Sequence, residues 1–152
     1  MTDTTRYIRR TIELARQARA RGDHPFGAVL AGNGQIVLEA ENTVVTEKNP
    51  THHAEMNLIQ LAWQKLPPEV IKASTLYTST EPCPMCTGAI FWSGIRRVVF
   101  SFPALELGKL ANDRFCAPCK ALFDRADLET DVIGPILADE GREVHAGFWT
   151  PA

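Results

Sequence analysis

Residues 78–89 read TSTEPCPMCTGA, and this stretch decides how the chain is organised. It joins a run of strand-forming residues to a pair of cysteines, Cys83 and Cys86, interleaved with Pro82 and Pro84. Proline at the first position of a helix has no N–H to lose, so Pro84 places a helix start here, with Cys83 at the cap and Cys86 in the first turn. Both sulfurs then sit at the positive end of a helix, where the field favours thiolate, the form that binds metal. A pair at this spacing chelates a metal, cycles as a dithiol, or fills space as small buried hydrophobes. What the rest of the chain brings to the two sulfurs discriminates among these.

Outward from this stretch, the pattern alternates. Residues 5–20 carry Tyr7, Ile8, Thr11, Ile12, Leu14, Ala15 and Ala18 on one broad helical stripe, closed by Gly22. Arg6, Arg9, Arg10, Arg16, Arg19 and Arg21 decorate the remainder, and they read as a solvated face rather than an RNA-facing stripe. Residues 26–31 and 35–40 flank Gly32-Asn33-Gly34, a hairpin signal. A second helix covers residues 53–66, with Ala54, Leu58, Leu61, Ala62 and Lys65 on one face, and ends before Pro67-Pro68. Strands are expected at 74–79 and 96–102, with the short cysteine helix between them. Beyond Pro103 the signals weaken: a helix at 119–126, a strand at 128–134, and a helix or helix-like tail over 135–149. This alternation predicts a layered α/β domain with a mostly open sheet, one domain spanning 1–152.

Composition bounds the function. Sixteen Lys and Arg against eighteen Asp and Glu give a net charge of −2, which disfavours long nucleic acids as partners. The N-terminal residues lack an apolar signal segment, and no stretch reaches a membrane-spanning length, so the expectation is a cytoplasmic protein with no membrane partner. In that reducing compartment a Cys-x-x-Cys pair means metal or redox chemistry before a structural bridge.

A catalytic zinc keeps three protein ligands and one open position, and zinc prefers thiolate and imidazole donors. Of His24, His52, His53 and His145, only His53 opens a helix beside a carboxylate, Glu55. Positions two apart do not share a helical face, so Glu55 leans over the open position instead of ligating. Two thiolates and one neutral imidazole balance the dication, and a carboxylate beside metal-activated water serves as general acid and base. Cys116 and Cys119 could instead join Cys83 and Cys86 in a closed four-sulfur site, which would make the chain a non-catalytic zinc module. Against it, 29 residues separate Cys86 from Cys116, beyond the usual spacing of about 15–20. That arrangement also leaves His53 and Glu55 without a role, so the second pair reads as structural.

His-x-Glu followed by Pro-Cys-x-x-Cys matches the signature of zinc deaminases acting on nucleobases. Residues 25–102 resemble the cytidine and deoxycytidylate deaminase superfamily in HPFGAVL, ENTVV, PTHHAEMNLI and YTSTEPCPMCTGAI, and within it the small bacterial guanine deaminases. The resemblance implies a three-layer αβα sandwich around a five-stranded mixed sheet, one Zn²⁺ per chain, a homodimer and a small nucleobase substrate. His53, Cys83 and Cys86 match its zinc ligands and Glu55 its proton shuttle. Asn42 matches a side-chain amide that holds the substrate, the backbone of Ala54 a hydrogen-bonding position, and Phe26 and Trp92 aromatic residues that pack on the ring. Asp113 falls near a carboxylate that recognises an amino group. His52 stands where relatives commonly carry Ala, so a different pocket rim is expected.

Each of these residues also has a plainer reading. Phe26 and Trp92 could be ordinary core, Asn42 a strand end, and Asp113 a solvated loop residue, while Glu140 reads as a helix-face charge. Guanine is the expected substrate. A tRNA adenosine and cytosine or another small ring are the alternatives, the first disfavoured by the acidic balance and by a tail lacking a basic helix. The aromatic end of that tail, Phe148 and Trp149, is free to cover a pocket or a partner.

Overall fold

A computed structural model describes residues 3–113 and 115–149. The elements run α1 (Asp3–Arg21), β1 (Gly27–Gly32), β2 (Gln35–Glu41), α2 (Ala54–Lys65), α3 (Pro68–Ala73), β3 (Thr75–Thr80), α4 (Pro84–Ser93), β4 (Arg97–Phe102), α5 (Ala104–Ala111), α6 (Cys119–Phe123), β5 (Asp131–Ile133) and α7 (Ala138–Glu143). The strands form one five-stranded sheet in the order β2-β1-β3-β4-β5. β1 is antiparallel to both β2 and β3, while β3, β4 and β5 run parallel. The sheet is therefore mixed, as expected.

Alternation along the strands splits the core in two, because successive side chains point to opposite faces. Ala28, Leu30, Leu76, Val98 and Phe100 pack with Leu58 and Ala62 of α2, Ile90 of α4 and Phe123 of α6. Val29, Ala31, Tyr77 and Val99 pack on the other side with Tyr7, Ile8, Ile12 and Ala15 of α1 and with Val144. The result is a three-layer αβα sandwich. All seven residues of the apolar stripe on α1 are buried. The approach of this helix to the sheet is close: a Cβ at Gly27 would run into the carbonyl of Thr11 and stand 2.6 Å from Leu14 Cβ and 2.8 Å from Ala15 N.

The arginines of α1 are neither free nor simply solvated. Arg9 forms a two-pronged pair with Glu140 at 3.0 and 3.1 Å, Arg10 pairs with Glu13 and Glu39, and Arg21 with Asp23. Arg19 donates to the carbonyl of Val144 at 2.8 Å, and its guanidinium lies 5.5 Å from the centre of the Phe148 ring. Much of the stripe therefore ties the C-terminal segment to the first helix, and Glu140 is spent in that tie.

Three expectations need correction. The tail over 135–149 holds only one short helix, α7, followed by turns, with Gly147 at a φ of 70°. The last strand contracts to Asp131–Ile133. An additional helix, α5, stands directly after Pro103 and ends on Asn112 in the left-handed conformation, an ordinary stop signal. Its interior Gly108 is explained by packing, since a Cβ there would lie 2.8 Å from the sulfur of Cys116.

Candidate active site

The site forms where two helices begin. His53 is the N-cap of α2 and Cys83 the N-cap of α4, with Pro84 at the first helical position and Cys86 in the first turn. Neither cap is closed by a side-chain hydrogen bond, so the helix starts present open N–H groups and positive field to the donor atoms. The parallel strand β3 ends at Thr80 and delivers Cys83 after a short Glu81-Pro82 link. Because α2 and α4 share the hydrophobic layer containing Leu58 and Ile90, the two helix starts are held side by side.

His53, Cys83 and Cys86 each offer one ligand atom, and these atoms lie within 4.8 Å of one another. His53 Nδ1 stands 3.5 Å from both Cys83 Sγ and Cys86 Sγ. Tetrahedral zinc with Zn–S near 2.3 Å and Zn–N near 2.0–2.1 Å requires nitrogen and sulfur ligands to be about 3.6 Å apart. The donor chemistry and the spacing both fit. Among the described residues no other group of three such donors converges, so Cys116 and Cys119 do not complete a four-sulfur site. Cys116 instead packs on Gly108, and Cys119 is buried.

The clustered groups shift one another's protonation, and Cys83 and Glu55 move in the direction their roles need. The hydrogen bond from Cys86 holds the Cys83 thiol down to about 4 against the opposing effect of burial, with His53 assisting. Cys86 is pushed well above the ordinary thiol value, first by that same bond and then by burial. His53 is raised by its contact with Cys83. Burial lifts the Glu55 carboxyl to about 7, and the neighbouring Cys83 thiolate adds to the effect. A carboxyl near neutrality can both take and give a proton at working pH.

These groups open into a cavity of about 310 Å³. His53, Glu55, Cys83, Phe26 and Asp113, all singled out in the sequence, line it. His24, Thr80, Glu81 and Trp149 also line it. His24 stands in the HPFGAVL motif and Glu81 directly before Pro82-Cys83, so both carried a signal in their position, whereas Trp149 arrives from the far end of the chain. Asn42 is 1 % exposed; its backbone N–H donates to Phe26 O and its Oδ1 accepts from Val44 N. Its Nδ2 is buried without a partner among the described residues. Ala54 is fully buried behind His53 at the first position of α2.

Trp92 does not reach the cavity of its own chain. It is 79 % exposed and lines a separate groove with Met56 and Trp63. Six residues along a helix from Cys86 correspond to a rotation leaving it about 120° away from the cysteine's face. His52 likewise lines outer grooves rather than the cavity rim, with Nδ1 2.9 Å from a Glu47 oxygen.

Residues 1–102 match the profile of the cytidine and deoxycytidylate deaminase zinc-binding region. The chain belongs to this family. Its enzymatic class is that of the hydrolytic deaminases acting on nucleobases. It is 37 % identical over 148 residues to a probable cytosine deaminase of Schizosaccharomyces pombe, covering 94 % of this chain and 90 % of that one. It is 41 % identical over 100 residues to the tRNA-specific adenosine deaminase of Bacillus subtilis, covering 66 % of this chain and 62 % of that one. The solved guanine deaminase of Nitrosomonas europaea superposes with a TM-score of 0.76 at 25 % identity, over 92 % of this chain and 83 % of that one. Among the described residues no helix is long and apolar enough to cross a membrane.

Proposed function

We propose that this chain is a single-domain, zinc-dependent hydrolase that releases ammonia from a small free aminated nucleobase, with guanine as its first substrate. The observation that carries the reading is the convergence of His53, Cys83 and Glu55 on one cavity of about 310 Å³ walled by Phe26, His24 and Trp149. That volume lies at the lower end of the range of roughly 300–1,000 Å³ usual for small-ligand sites.

His53, Cys83 and Cys86 hold the metal. Bound zinc supplies an open coordination position and brings the pKa of water there toward neutrality. Glu55 carries the protons. It takes one from the attacking water and gives it to a ring nitrogen, then takes the second and gives it to the departing amine. Water thereby contributes its oxygen to the ring carbon and both hydrogens to the products, one on the ring and one on ammonia. The unpartnered amide of Asn42 donates to an oxygen or nitrogen of the base, the backbone of Ala54 adds a second hydrogen bond, Asp113 accepts from an N–H, and Phe26 packs on the ring plane.

The match to the cytosine relative extends over nearly the whole chain, which supports cytosine as the second substrate. A tRNA substrate has relatives in its favour but is opposed by the pairing of the α1 arginines and by the walled cavity. The reading includes a homodimer, as the family resemblance implies, and a cytoplasmic location. Ammonia release from guanine, cytosine and an adenosine-containing anticodon stem-loop tests the assignment. Release from the free bases is expected, and release from the RNA alone would overturn it.

A further inference from the structure

Asp23 is a wholly buried carboxylate that stands outside the donor group of His53, Cys83 and Cys86. It lies just past α1, where Gly22 adopts a φ of 100° and the N–H of Asp23 donates to the carbonyl of Ala18 at 3.0 Å. The helix end fixes its backbone, and its side chain gathers the segment that follows β2. Oδ1 accepts the N–H groups of Val45 and Thr46 at 3.0 and 2.9 Å. Oδ2 accepts Thr46 Oγ1 at 2.9 Å and Arg21 Nε at 2.8 Å. Four donors fill the capacity of an ionised carboxylate. Burial alone would raise its pKa, but the bonds from Thr46 and Arg21 outweigh that and hold it below the usual range.

The same segment begins with Asn42, whose other polar groups are all taken. Its N–H donates to Phe26 O at 3.1 Å, its carbonyl accepts from Arg21 Nη2 at 3.0 Å, and Oδ1 accepts from Val44 N at 3.0 Å. Only the oxygen of an amide can accept that N–H, so the last bond fixes which end of the side chain is which. Nδ2 is left buried and, among the described residues, without a partner, a cost that a bound acceptor removes. Asn57 of α2 donates to Glu41 O and to Thr43 Oγ1, both at 2.9 Å, and so brackets Asn42 on either side in the chain. Val44 sets the amide, and Val45 and Thr46, next in the chain, are the residues that Asp23 holds.

We propose that Asp23 is a positioning residue for base binding: through Val45, Thr46 and the Arg21 strap it keeps the Val44 N–H on Asn42 Oδ1, and so keeps Nδ2 oriented as a donor to the base. This inference rests on the reading of Asn42 given above. Without the clamp the amide is free to rotate, and the site loses a donor that is oriented before the base arrives. A contact made equally in the ground and transition states affects affinity rather than turnover, so KM carries the effect.

The test is a double-mutant cycle on the full-length, zinc-loaded protein. It reads kcat and KM for ammonia release from guanine and cytosine in the wild type, Asp23→Asn, Asn42→Ala and the double variant. Asp23→Asn keeps an oxygen for the Val45 and Thr46 N–H groups and gives up the acceptor for Arg21. It should raise KM by about tenfold with kcat within about threefold of wild type. In the Asn42→Ala background the same change should raise KM by less than about twofold, while its lowering of the melting temperature persists in both backgrounds. A purely structural role would carry the KM penalty into both backgrounds; that result, or a wild-type KM in Asp23→Asn, would overturn the proposal. Should Asp23→Asn not fold, Arg21→Gln removes only the strap and goes through the same cycle, with a KM rise of about threefold expected and the same two results overturning it. No turnover of either base by the wild type, or a wild-type KM in Asn42→Ala, would instead strike the reading of the substrate or of Asn42, and the positioning role with it.

Discussion

Glu81 and Cys119 lie 38 residues apart in the chain, and Oε2 of the glutamate accepts the backbone N–H of the cysteine at 2.7 Å. Its other oxygen accepts the N–H of Ala104 at 2.9 Å. A single buried carboxylate thus pins the starts of α5 and α6 beside Cys83 and fixes the segment that carries Asp113. Glu81→Ala leaves two buried donors unpaired, each costing about 1–3 kcal/mol. The melting temperature should fall by at least about 4 °C for a chain of this size. KM for the base should rise more than kcat falls, because Asp113 loses its support. An unchanged melting temperature would refute the anchor.

Gly27 marks the tightest approach of α1 to the sheet. Gly27→Ala forces the Thr11–Ala15 stretch of α1 away from the sheet, an overpacking cost of about 1–3 kcal/mol. Denaturant titration should show a lower midpoint with the slope preserved, and a wild-type midpoint would contradict the packing described here.

His145 gives the fold an acid sensitivity. Burial, with Arg19 nearby, holds its pKa down to about 4, and it is 2 % exposed. In the unfolded chain it titrates near 6.5. Between these values the unfolded state binds a proton that the native state refuses, so stability falls as pH drops from about 6.5 toward 4, on the order of a few kcal/mol in all. His145→Gln should flatten this part of the stability–pH curve. A variant as acid-sensitive as the wild type would place the effect elsewhere.

The two cysteine pairs should behave differently. Cys86→Ser should lose bound zinc, while Cys116→Ser should retain it, because Cys116 packs against α5 and stands outside the donor group. Metal analysis of the purified variants decides this; loss of metal in Cys116→Ser would restore the four-sulfur alternative.

Much of this architecture is local and therefore legible. The stripe on α1, the Asn33-Gly34 turn and the Pro84 helix start each depend on residues within a few positions of one another, and all stand where the pattern places them. The His-x-Glu and Cys-x-x-Cys motifs are short and rigidly spaced, so the convergence of His53 with the two cysteines follows from two helix starts. What the sequence hides is long-range. Gly108 looks like a helix breaker until Cys116 is seen against it. The α1 arginines look solvated because Glu140 and the Val144 carbonyl are more than a hundred positions away. For the same reason the sequence leaves open whether Phe148 and Trp149 cover a pocket or a partner, and only the fold brings Trp149 to the cavity. Trp92 illustrates the opposite hazard, since a matching position in a motif does not fix which way a helix turns the side chain.

Metal content and ammonia release measured together on Glu55→Ala test the core of the account most directly. The variant should hold one zinc per chain like the wild type while turnover falls by about 10²–10⁴, the usual contribution of a general acid–base. Near-normal turnover in the zinc-loaded variant would contradict it.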